Sequence, residues 1–130
     1  MKRFTMALAI SLTVLFSLQV ISCKKEVAAP NQQFIGVWTG TTNCGGTPYA
    51  DQWSITATNS TTGITLVSTG GNTIGSSVRG TVSGNAIIIA SQYDVVDSVT
   101  IYGSGALSSN QLSITISDNL GDNCTFTGTK

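Results

Sequence analysis

Five aspartates, Asp51, Asp94, Asp97, Asp118 and Asp122, are the only acids beyond residue 26 of this chain. Two carboxylates can carry out glycoside hydrolysis when held ~5–5.5 Å or ~6.5–9.5 Å apart, one as the acid and the other as nucleophile or base. Here Asp94 and Asp97 flank Val95-Val96, while Asp118 and Asp122 flank Asn119-Leu120-Gly121. Both settings read as solubilising turns, where Asp accepts hydrogen bonds from its own backbone. Asn119 and Asn123 add oxygen ligands suited to Ca²⁺, but the spacing is not that of an EF-hand loop. The chain contains no histidine, which removes the commonest general base, the Ser-His dyads and every His-ligated metal site. No serine sits in a G-x-S-x-G elbow, and no G-x-x-x-x-G-K-[ST] phosphate loop occurs. The sequence therefore predicts a non-enzymatic protein with no metal and no cofactor.

Residues suited to binding are aromatic. Tyr49 and Trp53 lie four apart in an expected strand, so they share a face at ~13 Å separation, given ~3.3 Å per residue. Ile55 shares their parity and Ser54 and Thr56 do not, which favours the inward orientation, lining a core or pocket. The outward alternative would let the two rings stack on sugars. Trp38 reads as core. Trp53, Tyr49 and Trp38 are thus the candidates for contact with a small apolar or amphipathic ligand.

The elements that must position these residues are strands. Of 130 residues, 9% are charged, against ~25% in an average soluble domain. The formal net charge is zero, which leaves no electrostatic footprint for nucleic acid. Hydrophobic residues at 41% argue for a folded body, since disorder needs low hydrophobicity and high charge. All 14 glycines lie at or beyond Gly36, and there period-two alternation recurs between turn residues. Strands are expected at 34–42, 49–57, 63–69, 76–82, 85–90, 97–106, 111–117 and 122–129. Leu112, Ile114 and Ile116 alternate with Ser113, Thr115 and Ser117; Val99 and Ile101 alternate with Thr100 and Tyr102. Three consecutive isoleucines in Ala86–Ala90 suggest a strand covered on both faces. Ser83-Gly84-Asn85 and Ser108-Ser109-Asn110 read as tight hairpin connections. The pattern predicts one all-β domain, 34–130: a small antiparallel eight-stranded up-and-down barrel, with a β-sandwich as the alternative.

Ahead of that body, Lys2 and Arg3 precede an apolar stretch from Phe4 to Ile21 that ends in Val20-Ile21-Ser22-Cys23. The order describes a secretory signal, although the stretch approaches the ~17–25 residues of a membrane span. The tetrapeptide resembles the lipobox of bacterial lipoproteins. That resemblance implies cleavage of residues 1–22, a diacylglycerol thioether on Cys23, and acylation of the new amine by a palmitate-type chain. It makes the membrane the partner through the Cys23 anchor; the protein partner is unknown. Lys24, rather than Asp, follows the cysteine, which by analogy with Gram-negative lipoproteins favours the outer membrane, with its periplasmic and surface faces both open. Residues 23–33 read as a short tether.

With Cys23 lipidated, Cys44 and Cys124 remain. In an oxidising compartment an even remainder reads as a disulfide, joining the first strand to the last; two buried free thiols are the alternative. Such a bridge is expected where the two ends of a closing meander meet. Gly36-Val37-Trp38 at the start of the first strand resembles the G-x-W of lipocalins. In that family the Trp plugs the closed end of an eight-stranded barrel, so the resemblance implies a lipocalin-like barrel and a small hydrophobic ligand in its mouth. The chain differs from that family in having no arginine near the C-terminus to stack on the Trp; the one arginine of the body is Arg79. The alternative to a carrier is a structural or interaction lipoprotein, a solid barrel whose loops or Thr/Ser-rich outer face contact another envelope protein or a glycan.

Overall fold

A computed structural model describes residues 25–70 and 77–130. Eight strands follow one another: β1 (Gly36–Asn43), β2 (Tyr49–Ala57), β3 (Gly63–Ser68), β4 (Val78–Ser83), β5 (Ala86–Asp94), β6 (Val99–Ser108), β7 (Gln111–Asp118) and β8 (Asn123–Thr129). Each pairs antiparallel with the next, and β1 pairs with β8, so the sheet closes into a barrel. The sandwich alternative is therefore discarded. Closure removes both free edges, which in an open sheet would template pairing with other chains.

The strands form where the sequence alternates, because a period of two places every second side chain inside. Trp38, Trp53, Ile55, Ile64, Leu66, Ile87, Ile101, Leu112, Ile114, Ile116 and Phe126 are all but inaccessible and form one continuous core. Two connections are two-residue turns, with Ser83 facing Ala86 and Ser108 facing Gln111. Gly84 and Ser109, each the first turn residue, have φ of 57° and 54°. This left-handed conformation is natural for glycine and costly for serine.

Two expectations are corrected at β5. Ala86–Ala90 is not covered on both faces: Ile87 and Ile89 point inward, while Ile88 is exposed. The strand also continues to Asp94, beyond the expected end at residue 90. A bulge between Ile89 and Gln92 inserts one residue opposite β6, which shifts the parity and hides the continuation from an alternation count. Past the bulge β5 leaves β4, and the Gln92 side chain takes over the ladder. It accepts from the Arg79 N–H at 2.9 Å and donates to the Arg79 carbonyl at 2.8 Å. A hollow of ≈ 220 Å³ on the outer wall marks this seam.

One end of the barrel, here the base, is plugged. Phe34 belongs to a turn ahead of β1 rather than to the strand itself, and it is fully buried. Trp38 donates its indole N–H to the Phe34 carbonyl at 2.8 Å. A cation does stack on this ring, although it is not an arginine: Lys130 Nζ lies 4.9 Å from the Trp38 ring centroid. That ammonium also donates to the carbonyls of Gln33 and Ile35, each at 2.9 Å. The ordered body reaches back into the expected tether as well. Buried Asn31 donates to the carbonyls of Ser60 and Gly63, and Gln33 donates to that of Gly84. The expected lipidation site Cys23 and the signal segment 1–22 lie outside the described residues.

Candidate functional site at the barrel rim

The opposite end, the rim, gathers all five aspartates of the body. The strand directions dictate this, since Asp51 is near the start of β2, Asp94 and Asp118 end β5 and β7, and Asp97 and Asp122 follow in the connecting loops. Asp51 points inward, 5% exposed, between Thr42 and Trp53. Its Oδ2 accepts from the Thr42 hydroxyl at 2.6 Å and from the Trp53 indole N–H at 2.9 Å. Its Oδ1 accepts from the Gln52 N–H at 2.7 Å, and the Ser68 hydroxyl reaches both oxygens at 2.9 and 3.0 Å. Burial pushes this carboxyl's pKa up, but the donors of Thr42, Ser68, Gln52 and Trp53 together outweigh it and hold the group below its ordinary value of 3.8. Gly70 lies against it so closely that an added Cβ would strike Oδ1.

Asp94 and Asp118 are not the solvated turn acids expected of them; both are buried. Asp94 accepts from the Val96 N–H at 2.9 Å. Asp118 accepts from the N–H groups of Leu120 and Asp122 at 2.8 and 2.9 Å. Each carboxylate therefore organises the loop that follows it, an Asx-type turn built from inside the barrel. Asn119 completes the clamp by accepting from the Thr100 N–H at 2.8 Å and donating its own N–H to the Thr100 carbonyl at 3.0 Å. Asp97 and Asp122 remain in solvent.

The candidate ligand residues separate. Trp53 and Trp38 are each 1% exposed, with both indole N–H groups satisfied and Trp53 packed against Phe126 at 5.7 Å between ring centroids. A ligand touching either ring would have to displace core. Tyr49 is half-buried at the rim, its hydroxyl 3.8 Å from the Cys44 sulfur. Cys44 and Cys124 form the disulfide, with a Cα–Cα distance of 4.1 Å, and so lock the rim ends of β1 and β8 together. Among the described residues, no three His, Cys, Asp or Glu side chains gather where a metal ion could sit. The Asp51 hub escapes a reading by residue type because its donors come from three strands. One local signal for it exists: Asp51 shares the inward parity of Trp53.

These features define the class, an eight-stranded antiparallel up-and-down β-barrel with a plugged base and an acid-organised rim. Among solved structures, two redesigned β-barrels are similar, each at 16% identity and a TM-score of 0.58. The first covers 80% of this chain and 96% of its own. The second, mFAP1 bound to DFHBI, covers 78% of this chain and 99% of its own. At that identity the likeness shows the fold alone. No protein-family model matches the chain, and no curated protein does.

Proposed function

We propose that this chain is a lipid-anchored protein of the bacterial envelope, outer membrane by its Lys24, whose barrel works through its outer surface. The observation that carries the surface reading is the filled interior. Phe34, Trp38, Trp53 and Phe126 occupy the lumen between base and rim with at most 1% exposure each. An eight-stranded barrel can either fill itself with side chains or hold one small ligand. One structural neighbour, mFAP1, is bound to a small molecule, DFHBI; in this chain the four aromatic rings favour the filled alternative. No catalytic role is proposed, because Asp51, Asp94 and Asp118 are each committed to donors of their own chain.

Anchor geometry supports an orientation. Residues 31–34 are held on the base and the Ala29 carbonyl accepts from the Gln32 N–H, so the six residues from Cys23 to Ala28 would span at most ~22 Å at ~3.3–3.6 Å per residue. The base then faces the anchoring bilayer and the rim faces away. The test is fatty-acid labelling and membrane fractionation of wild type and Cys23→Ala in the producing cell, with native mass spectrometry of the mature protein. Label and outer-membrane recovery lost in Cys23→Ala, with a mass free of small-molecule cargo, is the expected result. A labelled Cys23→Ala would remove the anchor, and a stoichiometric ligand released on denaturation would replace the surface reading with a carrier reading.

A further inference from the structure

Single exposed apolar residues are ordinary on any soluble surface, whereas a cluster of them is informative. Of the eight large hydrophobic residues exposed on the described chain, Val27 lies in the tether, Val37 on β1, and six fall together. Ile88, Tyr93 and Tyr102 stand on the outer face of β5 and β6 at 53%, 63% and 48% exposure. Val95, Val96 and Leu120 crown the two rim loops beside them at 78%, 69% and 74%. Register makes the face continuous. Tyr93 is opposite Thr100, Tyr102 follows two residues on along β6 and lies opposite the β5 bulge, and Ile88 is opposite Ser104. Across β6, Tyr102 meets only Ser117, too small to cover it.

The apolar tips are held in place rather than left loose. Two buried carboxylates and Asn119 fix the backbone of both loops by the bonds described above, which lowers the ordering cost that binding would otherwise incur. Charge selects the occupant. Residues 86–129, which form β5 to β8, contain no lysine or arginine, and their four acids all sit at the rim. An anionic lipid surface would be repelled. A second copy brings the same acids against a single cation near the face, Arg79 of β4 beside Gln92. Tyr93 and Tyr102 offer rings a sugar can stack on, but the other four residues of the face are aliphatic and hold no hydrogen-bonding group for its hydroxyls. From these observations we infer that the outer face of β5–β6 with its two rim loops docks a different envelope protein, one presenting an apolar patch rimmed by lysine or arginine. This rests on the surface reading and names the partner class for it.

Photo-crosslinking in the intact cell tests it, using a benzophenone amino acid at 88, 96, 102 or 120 of the full-length chain, and at Thr39 or Thr56 on the opposite wall as controls. The expected result is one crosslinked protein shared by the four face positions and absent from the controls. Its yield falls about tenfold in Leu120→Lys, as for the loss of an interface anchor. Asp97→Asn with Asp122→Asn weakens it further, and mass spectrometry places the crosslink beside basic residues. Circular dichroism of Leu120→Lys verifies the fold, and Val96→Lys provides a second substitution at an equally exposed position. A crosslink to a second copy, to lipid or to glycan overturns the proposal, as does a partner insensitive to both lysine substitutions. Protein crosslinks from the control wall alone would overturn this face while leaving the surface reading intact. Absence of protein crosslinks everywhere, together with a ligand in the native mass, would remove both.

Discussion

Asp51→Asn is a one-atom change that the rim cannot absorb. The two carboxylate oxygens each face an N–H that can only donate: Gln52 N on Oδ1 and Trp53 Nε1 on Oδ2. An asparagine amide has one oxygen and one NH₂. Whichever way it turns, its NH₂ meets a donor, and one N–H, buried at Trp53 or part-buried at Gln52, loses this acceptor. That deficit costs ~1–3 kcal/mol, and losing the charge on the remaining bonds adds ~1 kcal/mol, so the expected destabilisation is about 2–4 kcal/mol. A small domain is stable by only ~5–15 kcal/mol; the variant should fold with a visibly lower urea midpoint. A double-mutant cycle with Trp53→Phe isolates the conflict. Removing the indole N–H lets the amide place its NH₂ toward Thr42, whose hydroxyl can accept, and its oxygen toward Gln52. The pair should then cost less than the sum of the singles by ~1–3 kcal/mol, read by far-UV circular dichroism in urea at pH 7 with the disulfide intact. Additivity within ~0.5 kcal/mol, the behaviour of independent sites, would refute the donor-conflict reasoning.

The same carboxylate gives a pH signature. Because its native pKa lies below the ordinary 3.8, its stabilisation is complete above that value and is lost as pH falls through the native one. The urea midpoint of wild type should therefore drop below about pH 4, while in Asp51→Asn the drop should be shallower. Reducing the disulfide, or Cys44→Ser with Cys124→Ser, releases an 80-residue loop; the chain-entropy relation sets the loss at ~4.5 kcal/mol, measured as a shift in the denaturation midpoint. At the paired hairpins, Ser109→Gly should raise stability by ~0.5–1 kcal/mol and Gly84→Ser lower it by a similar amount, since both sites need positive φ; thermal melts of the two variants should move in opposite directions.

Much of the fold was legible because alternation is a local property. Leu112, Ile114 and Ile116 announce an inward face without reference to any other strand, and the Gly84 and Ser109 turns sit where the small polar triplets placed them. β5 was legible only up to its bulge, since one inserted residue reverses parity and makes Gln92–Asp94 look like a loop. The disulfide was legible from the even cysteine remainder left by the expected lipidation of Cys23, together with the export expected of the N-terminus. The rim was harder for a physical reason. Asp94 and Asp118 have the sequence context of ordinary turn acids, and only the barrel wall, assembled from distant strands, makes them buried. Lys130 beside Trp38 does not show in a pattern that requires arginine, although its ammonium reaches the same ring. The exposed β5–β6 face was concealed by the triple isoleucine, which reads as burial until Ile88 is seen in solvent.

The closed ring also sets an order of events. Every ladder except one joins strands adjacent in sequence, each able to form as a hairpin once its second strand is available. The exception pairs residues 39–43 with 125–129, so β1 waits with one bare edge until β8 arrives. Loop closure over that distance is slow compared with hairpin formation. Closure of the ring is therefore expected late, and a chain that has not closed presents two bare strand edges, one of β1 and one of β8, to any neighbour. Refolding yield should then depend on dilution far more than folding rate does, and oxidation of Cys44 and Cys124 once β1 and β8 have met would hold the ring closed.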